Sequence, residues 1–126
     1  MSIDPSREPG WLDPLCRVAL QYRTGNESVH ALFERAAPNL DDPRFLELVP
    51  RTLRREPDLV MGWQQYSGDK RGTPSPYLDG LEVGFFENAD GSATRRDVRR
   101  FDSAIDACAA FIWREAAWVL ERREAT

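Results

Sequence analysis

Hydrophobic positions recur along this chain with two different periods. Through the first half they return every three or four residues, the signature of helices with one buried face. Asp13-Pro14 places a capping residue before a proline, and Gly25 supplies a stop. Between them Leu15, Val18, Ala19 and Tyr22 share one face. A second helix is predicted over 27–37, with Val29, Leu32, Phe33 and Ala36 aligned and Pro38 ending it. Asp42-Pro43 repeats the start signal for a third, which brings Leu46, Val49 and Leu53 together. Pro50 is expected to kink or restart it, and Glu56-Pro57 to close it.

From Leu59 the alternation becomes twofold. Met61, Trp63 and Gln65 fall opposite Val60, Gly62, Gln64 and Tyr66, which predicts a first strand here. After a loop, Leu81, Val83 and Phe85 oppose Glu82, Gly84 and Phe86 in a second strand. Asn88-Ala89-Asp90-Gly91 then has the chemistry of a hairpin turn. A third strand, about 94–101, carries Arg95, Arg96, Asp97, Arg99 and Arg100, as befits a sheet edge that must discourage pairing with other chains. Asp102-Ser103 caps a last helix to about residue 122. Its core stripe is Ile105, Cys108, Ala109, Ile112, Ala116, Val119 and Leu120. The fold class that follows is α+β, with N-terminal helices, a three-stranded antiparallel meander and a long C-terminal helix packed on the sheet. Residues 1–10, with Pro5, Pro9 and Gly10, read as a flexible tail before a single domain over 11–126.

Charge and composition narrow the classes of function. The 126 residues carry a net charge of −4, which argues against a nucleic-acid face and suits a protein whose partner is basic. No apolar stretch reaches the length of a membrane span, and Met1-Ser2-Ile3-Asp4-Pro5 lacks the pattern of a signal peptide, so a cytoplasmic protein is expected. Cys16 and Cys108 fall on apolar helix faces and are expected to be reduced and buried. His30 is the sole histidine, so no metal centre and no cofactor are predicted, and the histidine is expected to be partly exposed.

Nothing in the spacing supplies a nucleophile with its base, and the segment from Gly68 to Gly72 fits neither a phosphate-binding nor a dinucleotide-binding loop. Asp79, Glu82, Glu87 and Asp90 cluster in sequence, but Glu82 and Glu87 point to opposite faces of a strand. A small enzyme or ligand-binding protein with a carboxylate site near Asp79 and Glu82 is therefore the third choice. Phe111 and Trp118 lie together off the core stripe. They are either covered by the N-terminal helices or exposed as a ridge for self-association in a structural or adaptor domain, leaving the chain a monomer or a homodimer. The segment between Tyr66 and Tyr77 is the first choice for recognition. Asp69, Lys70 and Arg71 supply charge of both signs, Pro74 and Pro76 stiffen the return, and Tyr66 and Tyr77 bracket it as anchors. The alternative is an exposed connection whose charges only solubilise it.

Tyr66-Ser67-Gly68-Asp69-Lys70-Arg71, then Tyr77-Leu78, then Leu81-Glu82-Val83-Gly84-Phe85-Phe86, a charged strand and Ala107-Cys108-Ala109-Ala110-Phe111-Ile112 together resemble the small immunity proteins of bacterial polymorphic-toxin systems. The resemblance spans roughly residues 60 to 120. It implies a non-enzymatic inhibitor that neutralises a cognate toxin by direct binding, its carboxylates steering it to a basic cleft. Each immunity protein fits its own toxin, so the resemblance assigns no individual residue.

Overall fold

The computed structural model describes residues 8–69, 75–89 and 92–124. Of the expected tail, residues 1–7 lie outside the described residues, while Glu8 pairs with Arg55 at 2.6 Å. The element order is α1 (Leu12–Cys16), α2 (Val18–Thr24), α3 (Val29–Ala36), α4 (Phe45–Arg55), α5 (Asp58–Gly68), β1 (Ser75–Asp79), β2 (Glu82–Ala89), β3 (Ser92–Arg100) and α6 (Ala104–Glu124). The class is α+β, with a three-stranded antiparallel sheet in the order β1-β2-β3 and the long C-terminal helix packed on it.

The helices begin within a few residues of their predicted starts, but the N-cap is Trp11 rather than Asp13 for α1 and Arg44 rather than Asp42 for α4, and neither caps through its side chain. The first predicted helix begins at Leu12, with Pro14 in its first turn, and breaks at Arg17 into α1 and α2. Ser28 caps α3 by accepting the Ala31 N–H at 3.1 Å, and left-handed Ala37 (φ 50°) ends it before Pro38. In α4 the buried stripe is Phe45, Leu48, Val49 and Leu53. Leu46, expected to face inward, is 62% exposed. Pro50 sits inside this helix, which continues through it. Ser103 caps α6 as predicted, its Oγ accepting the Asp106 N–H at 3.1 Å.

One element differs in kind. The segment predicted as the first strand is helix α5, and the first strand of the meander is Ser75–Asp79 in the stretch read as the loop's return. Both periods fit the residues from Leu59 to Tyr66, but packing selects the helical one. Leu59, Gly62, Trp63, Tyr66 and Ser67 are buried at helical spacing, whereas Met61, which a strand would place beside Trp63, is 63% exposed. The Trp63 indole N–H donates to the Cys16 carbonyl at 2.9 Å, fixing α5 to α1.

Side chains of α5 also hold the sheet. Ser67 Oγ accepts the Leu78 N–H at 2.7 Å. The Gln64 amide grips the β1–β2 turn from both sides, accepting the Gly80 N–H at 3.1 Å and donating to the Gly80 carbonyl at 3.2 Å. Gly80 takes φ 62°, the left-handed geometry that a two-residue hairpin turn requires. Leu78 and Val83 face the helices and join a continuous core with Leu15, Phe33, Phe45, Leu53, Trp63, Phe111 and Ile112. Residues 90 and 91, the centre of the predicted second hairpin turn, lie outside the described residues, but the pairing of Ala89 with Ser92 closes that hairpin. β3 runs along the sheet edge, and its pairing with β2 slips by one residue between Val83 and Phe85, where Asp97 takes φ 53°.

Candidate partner-binding surface

Of the two tyrosines expected as anchors of the loop, Tyr66 points into the core and Tyr77 lies on the outer face of the sheet. Tyr66 follows Trp63 by one helical turn, so its ring faces α6 and is only 6% exposed. Its hydroxyl donates to the carboxylate of Glu115, itself 1% exposed. Burial, and then the Glu115 charge, push the Tyr66 phenol far above its ordinary range. Tyr77 lies on β1 with its ring laid over Gly84, where a Cβ would fall within 2.7–2.9 Å of the ring's outer atoms. It is 8% exposed. Asp69 is exposed just past the end of α5, while Lys70 and Arg71, like Pro74, lie outside the described residues. Of the predicted contact residues, Asp69 is the one that is both described and exposed.

Tyr77 instead organises a charged cluster on the outer face of the sheet. Its hydroxyl donates to Glu82 Oε2 at 2.7 Å, and Arg95 donates to the same oxygen at 2.8 Å while reaching Asp79 at 3.4 Å. The Arg95 guanidinium lies 4.8 Å over the Tyr77 ring. The phenol's hydrogen bond, followed by Arg95, holds the Glu82 carboxyl below its ordinary range. Burial, followed by Glu82, pushes the Tyr77 phenol up to about 12. These are the carboxylates of the third functional choice. The structure brings Asp79 and Glu82 together around one guanidinium, with Glu82 held ionised and the phenol held neutral. Glu87 lies on the opposite face, as alternation required, and pairs with Arg96 at 3.4 Å.

The C-terminal helix presents the larger surface. Phe111 is not part of an exposed ridge. It is fully buried, with Trp63 and Tyr66 set edge-on to it at 6.0 and 6.3 Å, because α5 covers that side of α6. Trp118 is half-buried and meets Phe85 edge-on at 4.8 Å. The exposed indole is Trp113, 38% accessible and fixed by donation from its Nε1 to the Leu40 carbonyl at 2.9 Å.

Trp113 stands between two clefts. One, of about 270 Å³, is lined by Leu46, Arg99, Phe101, Ala110, Trp113 and Arg114. The other, of about 420 Å³, continues past Trp113 and Arg114 to Phe85, Asp97, Trp118 and Glu121. Sharing two residues, they form one furrow between α6 and the edge of the sheet. The bulge in β3 borders it, with Arg114 donating to the Asp97 carbonyl at 3.0 Å. Two guanidinium groups stack on its aromatic walls, Arg96 over Phe85 at 4.7 Å and Arg99 over Phe101 at 4.9 Å. Aromatic and arginine side chains are the types enriched at the centres of binding interfaces.

The furrow was present in the sequence as a second stripe on the last helix. Ala110, Trp113, Arg114, Ala117, Trp118 and Glu121 recur at i, i+3, i+4, i+7, i+8 and i+11, a face of its own beside the core stripe. The i, i+7 spacing of Phe111 and Trp118 masks Trp113 within that pattern.

The remaining reactive groups are quiet. Cys16 and Cys108 are buried free thiols, and burial pushes Cys16 up to about 12 and Cys108 upward as well, so both stay protonated. His30 is partly exposed, with Nε2 3.3 Å from Glu34. Among the described residues, no three His, Cys, Asp or Glu side chains converge as a metal site, and no helix is long and apolar enough to cross a membrane. Compared with known proteins, the chain matches no family model, no curated protein and no solved structure.

Proposed function

We propose that this chain is a non-enzymatic protein-binding domain, an immunity or antitoxin-like inhibitor that acts in the cytoplasm by direct contact with a cognate toxin. The furrow along α6 is its contact face. The observation that carries this reading is Trp113: a large aromatic held rigid by a hydrogen bond, exposed at the centre of a furrow with apolar floor and arginine rim. Rigid aromatic anchors flanked by arginine are the side chains in which interface energy concentrates. The pattern shared with immunity proteins over residues 60 to 120 supports the choice of partner class, since it includes the two strands and helix that border the furrow.

Co-expression with a toxin-like reading frame beside its own gene tests the proposal. The wild-type chain is expected to restore growth. Trp113→Asp is expected to lose that rescue while retaining the fold, since truncating a central tryptophan costs about 2 kcal/mol or more, roughly thirtyfold in affinity. Full rescue by Trp113→Asp refutes the furrow as the contact face. Self-association in an adaptor domain is the competing reading, favoured by the half-buried Trp118 in the same furrow. A dimer on size-exclusion chromatography that Trp118→Asp dissolves would replace the inhibitor reading with that one.

A further inference from the structure

The smaller cleft of the furrow carries a local charge opposite in sign to the chain's, while Asp97 and Glu121 line the larger one. The protein is acidic overall, with net charge −4, yet the rim of the smaller cleft presents Arg99 and Arg114. Neither guanidinium is ion-paired with a carboxylate among the described residues. Arg114 gives an N–H to the Asp97 carbonyl, and Arg99 lies on the ring of Phe101. The neighbouring arginines differ, since Arg95 engages Glu82 and Asp79 and Arg96 engages Glu87. Stacking occupies only the face of a guanidinium. Its edge keeps the forked N–H donors that match a carboxylate.

Between these two cations the cleft is apolar, walled by Leu46, Phe101 and Trp113. Its volume of about 270 Å³ falls just below the range of pockets that enclose a whole small molecule, roughly 300–1,000 Å³, and suits one bulky side chain entering from a larger body. The furrow also has direction. Arg99 stands at the Leu46 end, whereas Asp97 and Glu121 line the cleft beyond Trp113.

We propose that the furrow receives an acidic segment of the partner protein, with one aromatic or large aliphatic side chain seated among Leu46, Phe101 and Trp113 and adjacent carboxylates on Arg99 and Arg114. This rests on the reading of the furrow as the contact face and adds the chemistry of what fills it. Charge complementarity sets the sign of the segment, and the Asp97–Glu121 end sets its orientation, with its acidic part toward Leu46.

The probe is a blocked, fluorescein-labelled peptide, Asp-Asp-Phe-Leu-Asp-Asp, titrated with the full chain by fluorescence anisotropy. The Trp113 indole N–H is followed in parallel by NMR. Saturable binding that shifts this resonance is expected. Replacing every Asp of the peptide by Asn, replacing Phe-Leu by Ser-Ser, or introducing Arg99→Gln into the protein is each expected to weaken it about tenfold or more. Raising salt from about 50 to about 300 mM should weaken it in the same direction. Equal binding of the Asp and Asn peptides, indifference to Arg99→Gln, or no shift of the Trp113 resonance at millimolar peptide overturns the proposal. So does concentration-dependent broadening of that resonance without peptide, which would mean that a second copy of the chain fills the furrow. If toxin rescue is lost with Trp113→Asp but unchanged by Arg99→Gln, the contact face stands and the acidic partner falls. If the peptide binds as expected but rescue survives Trp113→Asp, the furrow falls as the toxin-contact face and the acidic ligand stands.

Discussion

Gly84 seats the ring of Tyr77, and adding a single methyl there tests the geometry of the sheet's outer face. A Cβ built at Gly84 would lie 2.7 Å from the Tyr77 hydroxyl oxygen and 2.8 and 2.9 Å from its Cε1 and Cζ, closer than atoms can sit. The far end of a tyrosine could swing away if it were free. This one is held by its bond to Glu82 and covered by Arg95, and only 8% of the residue reaches solvent. Two effects then oppose each other. Removing a strand glycine favours folding by roughly 0.5–1 kcal/mol through chain entropy. Forcing a methyl into an occupied site costs about 1–3 kcal/mol. The net expectation for Gly84→Ala is a loss of about 1–2 kcal/mol, or a fall in melting temperature of roughly 3–8 °C at this chain length. Urea unfolding followed by circular dichroism measures it, and the double mutant with Tyr77→Ala isolates the cause. Without the ring, Gly84→Ala should become neutral or stabilising, giving a coupling of about 2 kcal/mol. If the substitution costs the same in both backgrounds, or nothing in the wild type, the ring is not held against Gly84.

One further substitution and one condition follow from buried groups. Tyr66→Phe removes the phenol that donates to buried Glu115, and is expected to cost about 1.5–3 kcal/mol in chemical denaturation; a loss below about 0.5 kcal/mol would mean that this hydrogen bond adds little. Alkaline pH should also unfold the protein. Both buried phenols favour the neutral form, Tyr77 rising from 10.0 to about 12 and Tyr66 rising as well, so their contribution is complete below about pH 10 and is lost as pH climbs toward 12. Denaturant midpoints that stay level between about pH 10 and 11.5 would contradict that sign.

How much of this was legible depended on whether the local signal and the packing agreed. The last helix, the charged edge strand and the cap at Ser103 were all visible, because each has its own local chemistry. Helix α5 was not. Leu59, Met61, Trp63 and Gln65 alternate by accident, while Leu59, Trp63 and Tyr66 repeat with the helical period, and only contact with α1 and α6 decides between them. The misplaced strand carried the tyrosines with it. A strand over these residues would leave Tyr66 at the mouth of a loop, and nothing local announces that Gly84 lies beneath the ring of Tyr77. The furrow depends on Leu46, which is far in sequence from Phe101 and the last helix, but its α6 stripe is legible in the sequence.

The bonds from α5 to the first strand have one more consequence, for what the sheet can do beside other sheets. Along the outer margin of β1, the donors that an approaching strand would need recur every second residue. Leu78 gives its N–H to Ser67, Gly80 gives its N–H to Gln64, and Pro76, in phase with them, has none to give. Among the described residues that margin offers no free N–H to an added strand, and β3 is the margin where another strand could join. A sheet with two open sides can polymerise without limit, whereas one with a single open side terminates once it meets its like. Misassembly through this sheet would therefore stop at pairs joined along β3 and would not propagate into fibres.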